Sequence, residues 1–313
     1  MTAGGSAKEP LVHIENFRMD FGDTTVIKDL SFDVYAGETF GFLGSNGSGK
    51  TTTLRALLGI YQPTAGTLHI AGKVFEPRDG ARLGYLPEER GLYKKERVLD
   101  VMVYFGRLKG LSKAAARNWS LEYLERVQLA DKAAVKIDKL SGGQQQKIQL
   151  GVTIMNNPEL LILDEPTKGF DPVNRRLLMD IIEEHKRGGA TVIMVTHQME
   201  EVERLCDRVI LLKDGTAKAY GTISAVQEQF GGTVYRVAYD GDLPPSTLYR
   251  ATGVTSTSSG TADLVPLHGA TEAAVVRELI QAGVEVKRFT TERVSMEEIF
   301  IRVYGDQNTL TEA

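Results

Sequence analysis

The sequence holds a single cysteine, Cys206, among 313 residues, which excludes an intrachain disulfide and suits a reducing compartment. It has no run of about eighteen apolar residues, so no stretch reads as a membrane-spanning helix. Charge of either sign is not in excess: Lys plus Arg number 37 against 41 Asp plus Glu, a formal net charge of −4. Bulk electrostatics therefore give no sign of nucleic-acid binding. The first ten residues, MTAGGSAKEP, have no apolar centre; they read as a flexible tail and not as a signal peptide. No convincing internal repeat occurs, and together these absences leave a cytoplasmic chain. What is present is ordinary for a globular protein, with 42% hydrophobic and 25% charged residues. The length suggests about two domains.

Short apolar strands alternate with helical patterns over most of the chain. Residues 11–19 and 26–35 are strand-like, as are Thr39–Leu43, Thr67–Ile70, Arg82–Leu86, Leu160–Leu163 and Thr191–Thr196. Between about 93 and 156 the apolar spacing is helical, forming a subdomain of its own. A helix over Pro172–Lys186 begins with proline in its first turn and stops at Gly188-Gly189. Such alternation predicts an α/β fold with a mostly parallel sheet covered on both faces. Ligands of these sheets collect beyond the carboxyl ends of the strands. A boundary falls near Gly231-Gly232, dividing a domain over 11–230 from a small α/β unit over 231–313. In the latter, Val234–Tyr239, Asp263–Leu267 and Val284–Phe289 read as strands, and Ser295 with Glu298 has capping-box spacing. The Thr/Ser-rich patch Thr255–Thr261 reads as a surface loop.

The first chemistry-bearing stretch is Gly44-Ser45-Asn46-Gly47-Ser48-Gly49-Lys50-Thr51-Thr52, a phosphate-loop pattern set between a strand and a helix. Its glycines let backbone N–H groups turn toward one anion, to which the helix start adds positive potential. Lys50 is suited to neutralise β- and γ-phosphates, and the Thr51 hydroxyl to hold Mg²⁺. The second is Asp164-Glu165 at the end of a buried strand: Asp164 is placed as a partner for Mg²⁺, and Glu165 to align a water against the γ-phosphate. The third is Leu140-Ser141-Gly142-Gly143-Gln144, where Ser141 can cap a helix and the glycines clear space for an anion. The chain thus carries two phosphate-seeking helix starts and one evident nucleotide site.

In this order, the phosphate loop, LSGGQ, the apolar strand with Asp-Glu and a later histidine resemble the ATP-binding subunit of an ABC transporter, over residues 11 to about 228. The resemblance implies ATP and Mg²⁺ as cofactors and a head-to-tail dimer in which Ser141, Gly142, Gly143 and Gln144 face the γ-phosphate held by the other copy. It implies that His197 contacts the γ-phosphate, that Asp171 lies in the loop reporting between the two sites, and that Phe21 stacks on adenine. Two positions depart from the family pattern: Lys168 replaces a small hydroxyl residue, and Glu88 stands where a Mg²⁺-contacting glutamine belongs. A carboxylate coordinates Mg²⁺ but donates no hydrogen bond while ionised.

LPEERGLYKKERV and the C-terminal unit ending in SMEEIF are similar to the sodium-, drug- and antibiotic-extrusion type, whose membrane subunits are separate chains. The expected function is therefore ATP hydrolysis at the cytoplasmic face of the membrane, driving a separate permease, in the export direction. Leu92, Tyr93 and Val98 are the expected apolar contacts with that permease. A soluble ABC-type ATPase acting on ribosomes or nucleic acid is the alternative. The single phosphate loop and the 91 positions between Lys50 and Ser141 speak against it. A phosphoryl-transferring kinase has no use for the LSGGQ helix.

Overall fold

The computed structural model describes residues 9–76, 82–89, 91–256, 258–267 and 269–305. Its chain divides after Gly221 into two compact units.

The first unit is built on a nine-stranded sheet. At one side β1 (Pro10–Phe21), β2 (Thr24–Tyr35) and β4 (Ala65–Ile70) pair antiparallel. At the other, β5 (Leu83–Leu86), β6 (Leu160–Asp164), β7 (Thr191–Val195), β3 (Thr39–Gly44) and β8 (Arg208–Lys213) run parallel in that order. β9 (Thr216–Thr222) joins the two parts, reached from β8 by the Asp214-Gly215 turn. Every residue of β3, β6 and β7 is buried, which explains their unbroken apolar runs: a parallel strand covered on both faces has no solvent side to alternate toward. Phe17, Phe40, Phe42, Leu54 and Ile193 lie in the core of this unit.

Register decides where function can sit. Phe42 pairs with Val195, Val195 with Asp164, and Leu163 with Leu86. The carboxyl ends of β3, β7, β6 and β5 are therefore level, and the chain leaves all of them on one edge. From that edge come α1 (Lys50–Leu57), α5 (Pro172–Arg187), α6 (Met199–Leu205) and the segment holding Glu88. The expected helical stretch resolves into α2 (Val98–Leu108), α3 (Lys113–Arg126) and α4 (Gly142–Ile154).

The second unit places β10 (Thr233–Asp240), β11 (Tyr249–Thr252), β12 (Ser259–Pro266) and β13 (Glu285–Arg293) in an antiparallel sheet ordered β11-β12-β10-β13. Val275 and Leu279 of α8 (Glu272–Gln281) share a core with Tyr235, Val237 and Leu264. The unit begins at Thr222, nine residues ahead of the expected Gly231 boundary, and so takes in α7 (Ile223–Gln229). The reason is packing: α7 lies against α9 (Met296–Tyr304), and the Arg302 guanidinium donates to the Phe230 carbonyl. β11 was not expected, since its outer residues are exposed and leave no apolar alternation to read. The Ser/Thr patch is a loop only in part; Ser259–Thr261 pair with Ala238–Asp240 as the start of β12. The expected tail lies outside the described residues through Lys8, and Pro10 already opens β1.

Ser295 caps α9 with both arms of a capping box: its hydroxyl accepts from the Glu298 N–H, and the Glu298 carboxylate accepts from the Ser295 N–H at 2.8 Å. Ser295→Ala is expected to destabilise this unit by about 1 kcal/mol, read as a lower urea midpoint at unchanged slope.

Candidate functional site

β3 ends at Gly44 and the following turn carries the phosphate loop into α1. A side chain at Gly44 would collide with Ser48 Oγ and would meet the Leu212 carbonyl at 2.6 Å, so only glycine lets the loop pass this close to β8. Gly49 stands at φ 106° as the residue before α1, a conformation that L side chains avoid. Lys50 reaches back over the loop, its Nζ donating to the Gly44 carbonyl at 2.8 Å and the Ser45 carbonyl at 2.9 Å. Burial lowers the Lys50 pKa, while Glu165, Asp164 and Glu88 pull the other way. Thr51 and Thr52 follow in the first turn of α1.

The carboxylates gather opposite. Asp164 ends β6, is 3% exposed, and has its pKa pushed up to about 6 by burial first, then by the charges of Glu88 and Glu165. Glu165 sits at φ 51°, a left-handed backbone rarely taken by a non-glycine residue, held by its N–H on the Val195 carbonyl at 2.8 Å. That conformation turns its carboxylate to His197, whose Nδ1 lies 2.8 Å from Glu165 Oε1. The level strand ends explain the meeting: residue 165 leaves β6 and residue 197 leaves β7 from paired positions. Glu88 is ion-paired with Lys168 at 2.6 Å. The two departures from the family pattern are thus each other's partners.

The Ser141 start of α4 forms a full capping box with Gln144. Among the described residues no hydrogen bond or ion pair joins Ser141–Gln144 to the phosphate loop of the same chain. Instead a Cβ on Gly143 would touch the Phe170 ring at 3.3 Å, so this helix start lies beside the loop that holds Lys168. A cavity of about 800 Å³ between them is lined by Glu88, Lys94, Gln145, Gln146 and Lys168. Asp171 has a local role, capping α5 by accepting from the Val173 and Asn174 N–H groups, both at 3.0 Å; these bonds, led by that from Asn174, lower its pKa.

Phe21 is 44% exposed at the end of β1, edge-on to Tyr61 with ring centres 5.3 Å apart, so the ring is not part of the core. The expected permease contacts need correction: Leu92 and Val98 are buried, Val98 completely, because the apolar face of α2 closes the subdomain's own core. Tyr93 is exposed, and it clusters with Tyr104 and Phe105 at ring-centre distances of 5.7 and 6.0 Å. Thr167, Thr196 and Glu201, buried just behind the Glu165–His197 pair, were not expected from the sequence. Their signal was faint: a Glu four residues after a candidate histidine, at the start of a short helix.

A glycine-rich loop between a buried parallel strand and a helix, with a buried acid ending the strand two places away, defines a phosphate-loop nucleotide-binding protein. The sequence profile described as ABC transporter matches residues 27–168, and that of the ATP-binding protein DrrA1-3-like C-terminal domain matches 221–304. The chain is 36% identical to an uncharacterized ABC transporter ATP-binding protein, YhaQ, of Bacillus subtilis, covering 94% of this chain and 99% of that one. It is 34% identical to the linearmycin resistance ATP-binding protein LnrL of Bacillus subtilis, over 74% of this chain and 76% of the relative. Among solved structures, an ATP-binding subunit of an ABC transporter superposes with a TM-score of 0.66 at 28% identity, covering 71% of this chain and 93% of that one. The chain belongs to the ABC transporter ATP-binding family and is an ATP-binding subunit of that class. Among the described residues no helix is long and apolar enough to cross a membrane.

Asp164 is ionised at neutral pH against its burial. A carboxyl whose folded pKa is raised gives stability below its ordinary value of 3.8, and loses it as pH climbs to about 6. Asp164→Asn is therefore expected to stabilise the nucleotide-free chain by about 1–3 kcal/mol at pH 7.5. The gain shrinks through that window and disappears below it, as urea titrations across pH will show.

Proposed function

We propose that two copies of this chain close head to tail over two ATP–Mg²⁺ and that hydrolysis at these sites drives a separate membrane permease. The observation that carries the dimer is the split of the phosphate-binding parts. The α1 start has Lys50 and the charges of Asp164, Glu165 and Glu88 acting on it, whereas among the described residues no hydrogen bond or ion pair joins Ser141–Gln144 at the α4 start to any of them. A second copy supplies what the first lacks, and a two-fold axis makes both sites alike.

In this reading the N–H groups of Gly44–Lys50 and the α1 dipole hold the β- and γ-phosphates, and Lys50 leaves the loop carbonyls to neutralise them. Thr51, Asp164 and Glu88 offer hard oxygen donors suited to Mg²⁺. Among the described residues no three His, Cys, Asp or Glu side chains converge to hold a metal by themselves. Mg²⁺ takes one or two carboxylates and completes its shell from other oxygens, phosphate and water among them. The ion would supply charge neutralisation between the phosphates. Glu165 orients and polarises the attacking water, and His197, 2.8 Å away, fixes that carboxylate and meets the γ-phosphate. Ser141–Gln144 and Asp171 complete the partner's site, and Phe21 stacks on the adenine.

The exposed Tyr93 and Tyr104 rings with the half-buried Phe105, beside a hollow of about 420 Å³ lined by Glu96, Asp100 and Val101, are the surface assigned to the permease at the cytoplasmic membrane face. A relative named for linearmycin resistance supports export. No observation favours the ribosome or nucleic-acid alternative.

Lys50→Ala and Gly142→Asp should each abolish turnover alone. Mixed in equal amounts they should restore about a quarter of wild-type activity, since half the dimers hold one intact site of two. Failure of the mixture to exceed either parent would refute the shared site. Glu88→Gln should leave ATP affinity within about threefold, measured by equilibrium titration, because the phosphate loop supplies most of the grip. Complete loss of binding would show that Glu88 does more than lend an oxygen to the metal, and its assignment would fall.

A further inference from the structure

Behind the Glu165–His197 pair lies a carboxylate with no part in the hydrolytic scheme so far. Glu201, in the first turn of α6, is 0% exposed. The Thr167 hydroxyl donates to its Oε1, and the Thr196 hydroxyl to its Oε2 at 3.1 Å. Arg175 Nε stands 3.8 Å from Oε1. Burial raises the pKa of Glu201, opposed by the two threonine hydroxyls and the Arg175 charge. A buried carboxylate is costly to keep unless several groups answer it, and here each oxygen is answered from a different loop.

Those loops are the ones that matter. Thr167 stands two residues after Glu165, whose carbonyl accepts from the Lys168 N–H at 3.2 Å. Thr196 immediately precedes His197, and its oxygen also accepts from the Gln198 N–H at 3.0 Å. The two loops touch directly through the Glu165 N–H on the Val195 carbonyl and through the Glu165–His197 contact. Glu201 closes the third side of this arrangement from below.

We propose that Glu201 is a positioning residue for hydrolysis: one carboxylate pins Thr167 and Thr196, and so keeps Glu165 and His197 at bonding distance. The inference rests on the hydrolytic reading of that pair. It also gives the loop running from Thr167 to Asp171 a rigid link to His197, so that a shift imposed at Asp171 reaches the γ-phosphate side of the site.

Glu201→Gln keeps shape and removes the charge that both threonines share. In the full-length protein it should lower kcat about tenfold while leaving KM and the equilibrium ATP affinity within about twofold. Nitrogen NMR of labelled histidine, with His197 assigned by the His197→Ala variant, should show the Nδ1 resonance of His197 displaced in Glu201→Gln before any nucleotide is added. If Glu201→Gln does not fold, Thr196→Val and Thr167→Val remove the donors instead, with Thr196→Ser expected to restore wild-type values. An unmoved Nδ1 resonance, or a kcat within twofold of wild type, in whichever variant folds overturns the proposal. Glu165→Gln and His197→Ala are run alongside: if they leave turnover intact, the hydrolytic reading itself fails. If they abolish it while the Glu201 and threonine variants do not, only the positioning role of Glu201 falls.

Discussion

The crowding of negative charge at one edge of the sheet is what the rest of the molecule is arranged around. Asp164, Glu165 and Glu88 all act on Lys50, which cannot balance them alone and is itself partly withdrawn from water. Asp164 shows the tension most clearly, its pKa displaced to about 6 by burial first and then by the charges of Glu88 and Glu165. Such a cluster destabilises the fold in isolation, and on the proposed reading a cation and a polyanion complete it. Lys168 answers part of the excess by pairing with Glu88. Both side chains of that pair are about half exposed, so water screens it and either partner can leave it at little expense. The two positions that depart from the pattern expected by resemblance, Glu88 and Lys168, thus face each other across the cavity.

Much of this could be read before any coordinates. The parallel strands announced themselves through apolar runs that have no polar alternation, and the chemistry through residues standing just past those runs: Gly44, Asp164 and His197. The Ser295–Glu298 capping box and the Ser141 cap also followed from local spacing alone, because a cap is satisfied within four residues of itself. Other features depend on distant partners and left no such trace. β11 is a strand only because β12 lies beside it. α7 joins the second unit because α9 receives it, whereas the Gly231-Gly232 pair looked like the natural break.

Side-chain orientation was the least legible property of the site. Leu92 and Val98 were expected as surface contacts beside Tyr93, yet Leu92 is buried and α2 turns Val98 inward and Tyr104 outward. Glu201 belongs to none of the motifs that stand out in the sequence. Its neighbours in space, Thr167 and Arg175, lie 34 and 26 positions away, and only the fold brings them to it. Buried polar groups answered from separate loops carry no periodicity to detect, whereas a phosphate loop carries its whole pattern in nine residues.

The start of α4 poses the remaining question, because local physics explains only half of it. Ser141 and Gln144 satisfy each other's backbone N–H groups, and that alone would make a sound helix start. Nothing in a capping box calls for glycine at the two positions between them, and glycine is among the poorest residues for a helix, by about 1 kcal/mol against alanine. The Phe170 ring, 3.3 Å from a side chain built at Gly143, accounts for one of the two in part. An anion approaching the bare backbone accounts for both, and among the described residues no phosphate-loop group of the same chain bonds to this helix start. The weakness built into α4 is intelligible if the anion arrives on a second copy, which is the same inference that the divided charge distribution at α1 and α4 supports from the opposite side.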